Sequence, residues 1–139
     1  MCFSRTLYNL LQWSHYADGH KGYCIEYDIN HTAFSLYGLI DVKYQDITPN
    51  HQDNTRDHAY ILATKPTCWS YEQETRWLGM ASDENRLWSV DGAIQAIYLG
   101  WKMDSKRVSE FIDEFGEDFP IYKMEPVKGF YALQAKRIN

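Results

Sequence analysis

Two stretches of this 139-residue chain place chemically capable side chains at useful spacings. The first is Asn9-Leu10-Leu11-Gln12-Trp13-Ser14-His15-Tyr16-Ala17-Asp18-Gly19-His20-Lys21-Gly22. On a helix, Trp13, Tyr16 and Ala17 share one face, while Gln12 and His15 fall three apart on an adjoining face. An indole and a phenol beside an imidazole could sandwich a planar ligand and offer it a hydrogen bond. The plainer use of these aromatics is to anchor the helix to a sheet, with His15 in water, because core packing is their commonest role.

The second stretch is Trp69-Ser70-Tyr71-Glu72-Gln73-Glu74-Thr75-Arg76-Trp77. If it is extended, Glu72, Glu74 and Arg76 point to one face, and Tyr71, Gln73, Thr75 and Trp77 to the other. Two carboxylates so close repel unless a cation sits beside them, and Arg76 is the obvious candidate. A carboxylate held ionised in this way can orient a ribose hydroxyl or stabilise an oxocarbenium-like transition state. If the segment is helical instead, Glu72 and Arg76 are an i,i+4 surface pair worth a few tenths of a kcal/mol. Spacing alone leaves both alternatives open.

Other chemistries find less support. His15, His20, Cys24 and His31 lie close in sequence but lack the paired spacing of a zinc site, so no metal is expected. His51 and His58 fall in a polar stretch and read as solvated. Cys24 and Cys68 adjoin Tyr23 and Trp69 in segments that read as core, which argues against a cysteine nucleophile. The common phosphate-loop, dinucleotide, zinc-protease and serine-hydrolase motifs are missing from the sequence.

The elements that must position these residues can be read from periodicity. Cys2-Phe3-Ser4 ends an extended segment. Thr6 can cap a helix over Leu7 to Ala17, with Gly19 as its left-handed stop. Tyr23, Ile25 and Tyr27 alternate with Cys24, Glu26 and Asp28 as in a strand, and Ile40, Val42 and Tyr44 repeat the pattern. Gln45 to Asp57, with Pro49, reads as an exposed loop, and Asp57 to Ala63 as a short helix halted by Pro66. Residues 86–90 suggest a short strand, Asp91-Gly92 a turn, and Ala93 to Leu99 a buried strand. Val108, Phe111, Ile112 and Phe115 form a helical stripe over Ser105 to Phe115, ended by Gly116. Pro120 to Met124 and Phe130 to Ala135 complete the set as two strands. This irregular alternation predicts an α+β fold: one mixed domain, 1–139, with a central, largely antiparallel sheet and a few short helices.

Composition narrows the function. Apolar residues make up 45% and charged residues 24%, so the chain can bury a core and is not disordered. Fourteen basic against nineteen acidic residues give a net charge of −5, and no basic run exceeds two residues. Both facts argue against duplex nucleic acid as a partner and leave room for a small nucleotide-like ligand held by one or two basic groups. Three cysteines without C-x-x-C spacing suggest a reducing compartment. The early polar residues argue against a signal peptide, and no apolar run is long enough for a membrane span, so a cytoplasmic location is expected.

Taken together, the two stretches resemble the bacterial family catalogued as domain of unknown function 2971. Its pattern begins C-F-S, continues N-L-L-x-W-x-H-Y-A-D-x-H-x-G-x-C-I-E-F, and later has T-K-x-x-x-W-x-Y-E-x-E-x-R. The matching residues are Cys2 to Ser4, Asn9 to Tyr27, and Thr64-Lys65 with Trp69 to Arg76. Ala96 to Gly100 is similar to the family's later strand ending in glycine. Thr75 stands where the family usually has an aromatic residue. Members usually carry a segment before C-F-S, so the resemblance implies a truncated member with an exposed sheet edge or groove at Met1 to Ser4, open to self-association or a partner. Some members lie near phage-defence genes, which implies a toxin-like or effector role.

The layout is also similar to the ADP-ribosyltransferase plan. By that analogy NAD would be the ligand, Glu74 the transition-state carboxylate and Glu72 the acceptor-orienting one. Trp13 or Tyr16 would stack on nicotinamide beside His15, and Arg76 would meet a pyrophosphate or carboxylate. This reading expects Glu74 and Arg76 to face a cleft lined by Trp13 or Tyr16, with one carboxylate partly exposed. The alternative is a non-catalytic binding or interaction module in which Glu72, Glu74 and Arg76 form a structural ion-pair network. A third reading, a metal-dependent nuclease, requires Glu26, Asp28, Glu72 and Glu74 on neighbouring strands.

Overall fold

The computed structural model describes residues 1–34, 38–48, 58–78, 89–90 and 92–139, with only the backbone of His58 and Ala59. Residues 86–88 of the expected strand, Asp91 of the expected turn and most of the expected loop at 45–57 lie outside the described residues, as do the side chains of His51 and His58. The fold is α+β with short helices and mixed sheets, as the irregular alternation predicted. In place of one central sheet, the described residues form three: one of three strands, one of four and one of two. The chain forms two compact units. One takes Met1–Leu7 and Thr32–Trp88, the other Tyr8–His31 and Ser89–Asn139.

In the first unit, β1 (Cys2–Ser4) and β3 (Gly38–Asp41) flank β6 (Glu74–Leu78), both antiparallel to it. Among the described residues β1 pairs on one side only, as an outer strand. Period-two alternation gives β6 two distinct faces. Thr75 and Trp77 turn to one face, where Phe34 meets both Trp77 and Phe3 edge to face at centroid distances of 5.2 and 5.5 Å. Thr75 Oγ1 donates to Asp41 at 2.8 Å and accepts from Arg5 Nε at 3.0 Å, so this buried hydroxyl stands where the related pattern has an aromatic ring. Glu74 and Arg76 turn to the other face. The expected continuous strand over Ile40 to Tyr44 breaks at Val42, whose amide donates to the Glu74 carbonyl at 2.9 Å. Beyond it β4 (Lys43–Tyr44) runs parallel to β5 (Thr64–Lys65), which follows the helix α2 (His58–Leu62).

In the second unit the strand order is β2 (Tyr23–Tyr27), β7 (Ile94–Leu99), β8 (Ile121–Pro126), β9 (Leu133–Arg137). The β7 and β8 strands are parallel, which demands a crossover, and α3 (Ser105–Phe115) supplies it. Asp104 caps that helix by accepting from the Arg107 amide at 3.0 Å. The expected stripe of Val108, Phe111, Ile112 and Phe115 packs on buried Ile97, Leu99, Met103 and Ile121.

The helix α1 spans Leu10–Tyr16, shorter than the expected Leu7 to Ala17. Asn9, not Thr6, caps it: its Oδ1 accepts from the Leu11 and Gln12 amides at 2.9 and 3.3 Å. Thr6 is already committed to a local turn in which its amide donates to Ser4 Oγ at 3.1 Å. Asp18, Gly19 and His20 follow with φ of 46°, 56° and 72°, so the left-handed stop spreads over three residues.

Candidate functional site

The Trp69–Trp77 stretch satisfies both competing templates in succession. Thr67–Glu72 forms a 3₁₀ helix, Gln73 turns left-handed at φ 46°, and β6 begins at Glu74. The left-handed residue lets two carboxylates on different elements converge on one ammonium. Lys65 Nζ, carried by β5, bonds Glu72 Oε2 and reaches Glu74 Oε2 at 3.3 Å. Arg76 grips Glu74 with two nitrogens, Nε to Oε1 at 2.7 Å and Nη2 to Oε2 at 3.1 Å. Its third nitrogen, Nη1, donates to the Leu62 carbonyl at the end of α2, where helical carbonyls lack an intrahelical donor.

The cluster is charge-balanced, with two carboxylates against one ammonium and one guanidinium. Glu72 is 4% exposed and Glu74 8%. The neighbouring backbone is bound as well: the Glu74 amide donates to the Tyr44 hydroxyl at 2.8 Å, and Ser4 Oγ donates to the Glu72 carbonyl at 2.8 Å. Lys65 Nζ also lies 4.9 Å from the Trp69 ring centroid.

Burial pulls the Glu74 carboxyl upward, but hydrogen bonds from Arg76, Cys2 and Lys65 and the guanidinium charge outweigh it and hold the group at about 2. Partial burial of the Cys2 thiol and its contact with Glu74 push that thiol above its ordinary value. Such a thiol is a poor nucleophile at neutral pH. All three cysteines have exposed side chains, a correction to the core placement expected for Cys24 and Cys68.

These shifts give a pH dependence. The Glu74 folded value lies below its unfolded value of 4.5, so the ionised carboxyl stabilises the fold above that pH and the benefit vanishes as pH falls toward 2. The contribution at neutral pH is on the order of 3 kcal/mol at most. Urea midpoints should therefore decline steeply below about pH 4.5, and the decline should be shallow in Glu74→Gln.

The first stretch divides differently from its expected face. Trp13 is 4% exposed and Ala17 is buried, whereas Tyr16 is 66% exposed. With only seven residues, α1 buries a narrow i,i+4 strip, and Tyr16 lies off it. His15 is exposed beside Tyr16, edge to face at 6.2 Å. Trp13 is thus a core anchor, and Tyr16 with His15 is the part of this stretch open to solvent. Trp13, His15 and Tyr16 belong to the second unit, and Glu72, Glu74 and Arg76 to the first.

Lys65, Tyr44 and the Leu62 carbonyl complete the cluster without having been singled out as site groups. Lys65 had a signal: it is the K of the T-K-x-x-x-W pattern, seven residues before a glutamate that needs a cation. Tyr44 and the carbonyl had none. Among the described residues no group of three or more His, Cys, Asp or Glu could hold a metal ion, and no helix is long and apolar enough to cross a membrane. Glu26 and Glu74 lie on strands of different sheets, so the neighbouring-strand requirement of the nuclease reading is unmet.

Fold and cluster define a small mixed α+β protein with a four-membered ion-pair network built around two buried carboxylates. The family model described as protein of unknown function (DUF2971) matches residues 12–77, which takes in most of the first motif stretch and all of the second and supports the resemblance to that family. In comparisons with curated proteins and with solved structures, nothing matches.

Proposed function

We propose that this chain is a non-catalytic binding module in which Lys65, Glu72, Glu74 and Arg76 act as a structural pin. The observation that carries this reading is the saturation of Glu74: Oε1 is held by Arg76, and Oε2 by Arg76 and Lys65. A carboxylate that orients a ribose or steadies an oxocarbenium ion needs an oxygen free to approach it. Burial of both glutamates with matching cations is what a load-carrying ion-pair network requires, since an unmatched buried charge is costly. Exposed aromatics such as Tyr16, Phe130 and Tyr131 supply the residue types that anchor protein interfaces.

The ADP-ribosyltransferase reading, with NAD as ligand and Glu74 as its transition-state carboxylate, makes the opposite prediction in one experiment. The chain is titrated calorimetrically with NAD and assayed for nicotinamide release, alongside Glu74→Gln. The binding-module reading expects no saturable heat and no nicotinamide from either protein. Release by the wild type that disappears in a folded Glu74→Gln protein would overturn it and restore the transferase.

A further inference from the structure

We propose that the turns at 17–22 and 100–103 in the second unit form a proton-operated clasp: backbone hydrogen bonds hold it closed while the buried His20 imidazole is neutral, and protonation of that ring opens it. This inference stands apart from the binding-module reading, since it uses no residue of the ion-pair cluster.

The two turns interlock through the backbone. The Lys102 amide donates to the His20 carbonyl at 3.0 Å, and the Gly100 amide to the Gly22 carbonyl at 2.8 Å. On the other side the His20 amide donates to the Trp13 carbonyl at 3.1 Å, so His20 ties the end of α1 to the end of β7. The contact is as close as backbone allows: a Cβ on Gly100 would stand 2.1 Å from the His20 carbonyl oxygen. His20 reaches this position only by adopting a φ of 72°, an unusual conformation for a residue with a side chain. Strain of this kind persists only where the surroundings hold it in place.

The imidazole is 8% exposed, and its Nδ1 has no hydrogen-bond partner among the described residues. A neutral ring tolerates that, because Nδ1 then carries only a lone pair. A protonated ring does not: both nitrogens become donors, and a buried N–H with nothing to accept it is destabilising. The charged residues in the two turns are Asp18, Lys21 and Lys102, with Asp104 next in sequence after the second. Lys102 acts on the ring, and its Nζ lies 5.0 Å from the centroid of Trp101, whose ring is 6.0 Å from the imidazole. Burial first, then the Lys102 charge, hold His20 below its ordinary value of 6.5. The unfolded or opened form therefore takes up the proton first, and closure is lost as pH falls through and below about 6.5. Opening releases the end of α1 and the buried Trp13.

The test follows the His20 C2 proton and the Gly100 and Lys102 amide exchange rates by NMR between about pH 8 and about pH 5. The native ring should titrate below 6.5. The two amides, corrected for intrinsic exchange, should open about tenfold more often at the acid end. In His20→Asn, which tolerates a left-handed φ and cannot titrate, that acid-induced opening should vanish. Lys102→Gln, which removes the repelling charge, should raise the ring's midpoint toward 6.5 and so reduce the acid-induced opening. A ring that titrates at or above 6.5, or acid-induced opening undiminished in Lys102→Gln, overturns the clasp even if His20→Asn fails to fold.

Discussion

Glu74→Ala is expected to destabilise this protein by about 3–5 kcal/mol, because it strands Arg76 and Lys65 beside a buried site. The guanidinium loses two of its three protein contacts and keeps only the Leu62 carbonyl. The ammonium keeps Glu72 and its place over the Trp69 ring. Domains of this size have total stabilities of about 5–15 kcal/mol, so the loss would bring many of them to the edge of unfolding. Urea denaturation of wild type, Glu74→Ala and the double variant Glu74→Leu with Arg76→Met separates a broken pair from a removed one. The double variant should recover much of the loss, since apolar pairs of similar volume often replace buried ion pairs without penalty. A cost below about 1 kcal/mol for Glu74→Ala would place the cluster among ordinary surface pairs and remove its role as a pin.

The second large effect belongs to Gly100→Ala, which should cost about 3 kcal/mol or more. The new methyl would lie 2.1 Å from the His20 carbonyl oxygen, 2.6 Å from its carbonyl carbon and 3.0 Å from the Gly22 carbonyl oxygen. All three are backbone atoms in turns already fixed by hydrogen bonds, so no rotamer change relieves the clash. Gly38→Ala is the matched control, because a Cβ there meets nothing within 4 Å and its φ is not left-handed. Thermal melts should show a large drop for the first and almost none for the second. Equal, small effects would mean that the two turns yield easily, which contradicts the interlock.

Much of the secondary structure was legible because it rests on local patterns. The stripe at Val108, Phe111, Ile112 and Phe115 and the alternation at Tyr23 to Tyr27 specify their elements with little help from the rest of the chain. The start of α1 was misread because Thr6 and Asn9 are both good caps, and only the path of the chain separates them. The change from one compact unit to the other falls between Leu7 and Tyr8, so a helix begun at Leu7 would have to run through it. Glu72 and Glu74 were legible as a pair that needs a cation, but the spacing offered only Arg76. Lys65 joins them because β5 is placed by its pairing with β4, a contact that spans about twenty residues of sequence.

The sequence by itself determined which residue types face each other along a strand or helix, that acidic residues outnumber basic ones with no basic run longer than two, and that two carboxylates would demand compensation. Only the tertiary structure decided that this compensation comes from two cations on two elements with both carboxylates out of water. It also decided that the chain divides into two compact units, each built from two separate stretches of sequence. The physical reason is one of range. Periodicity and charge spacing act within a few residues, whereas burial and pairing depend on segments far apart in the chain, which no local pattern encodes.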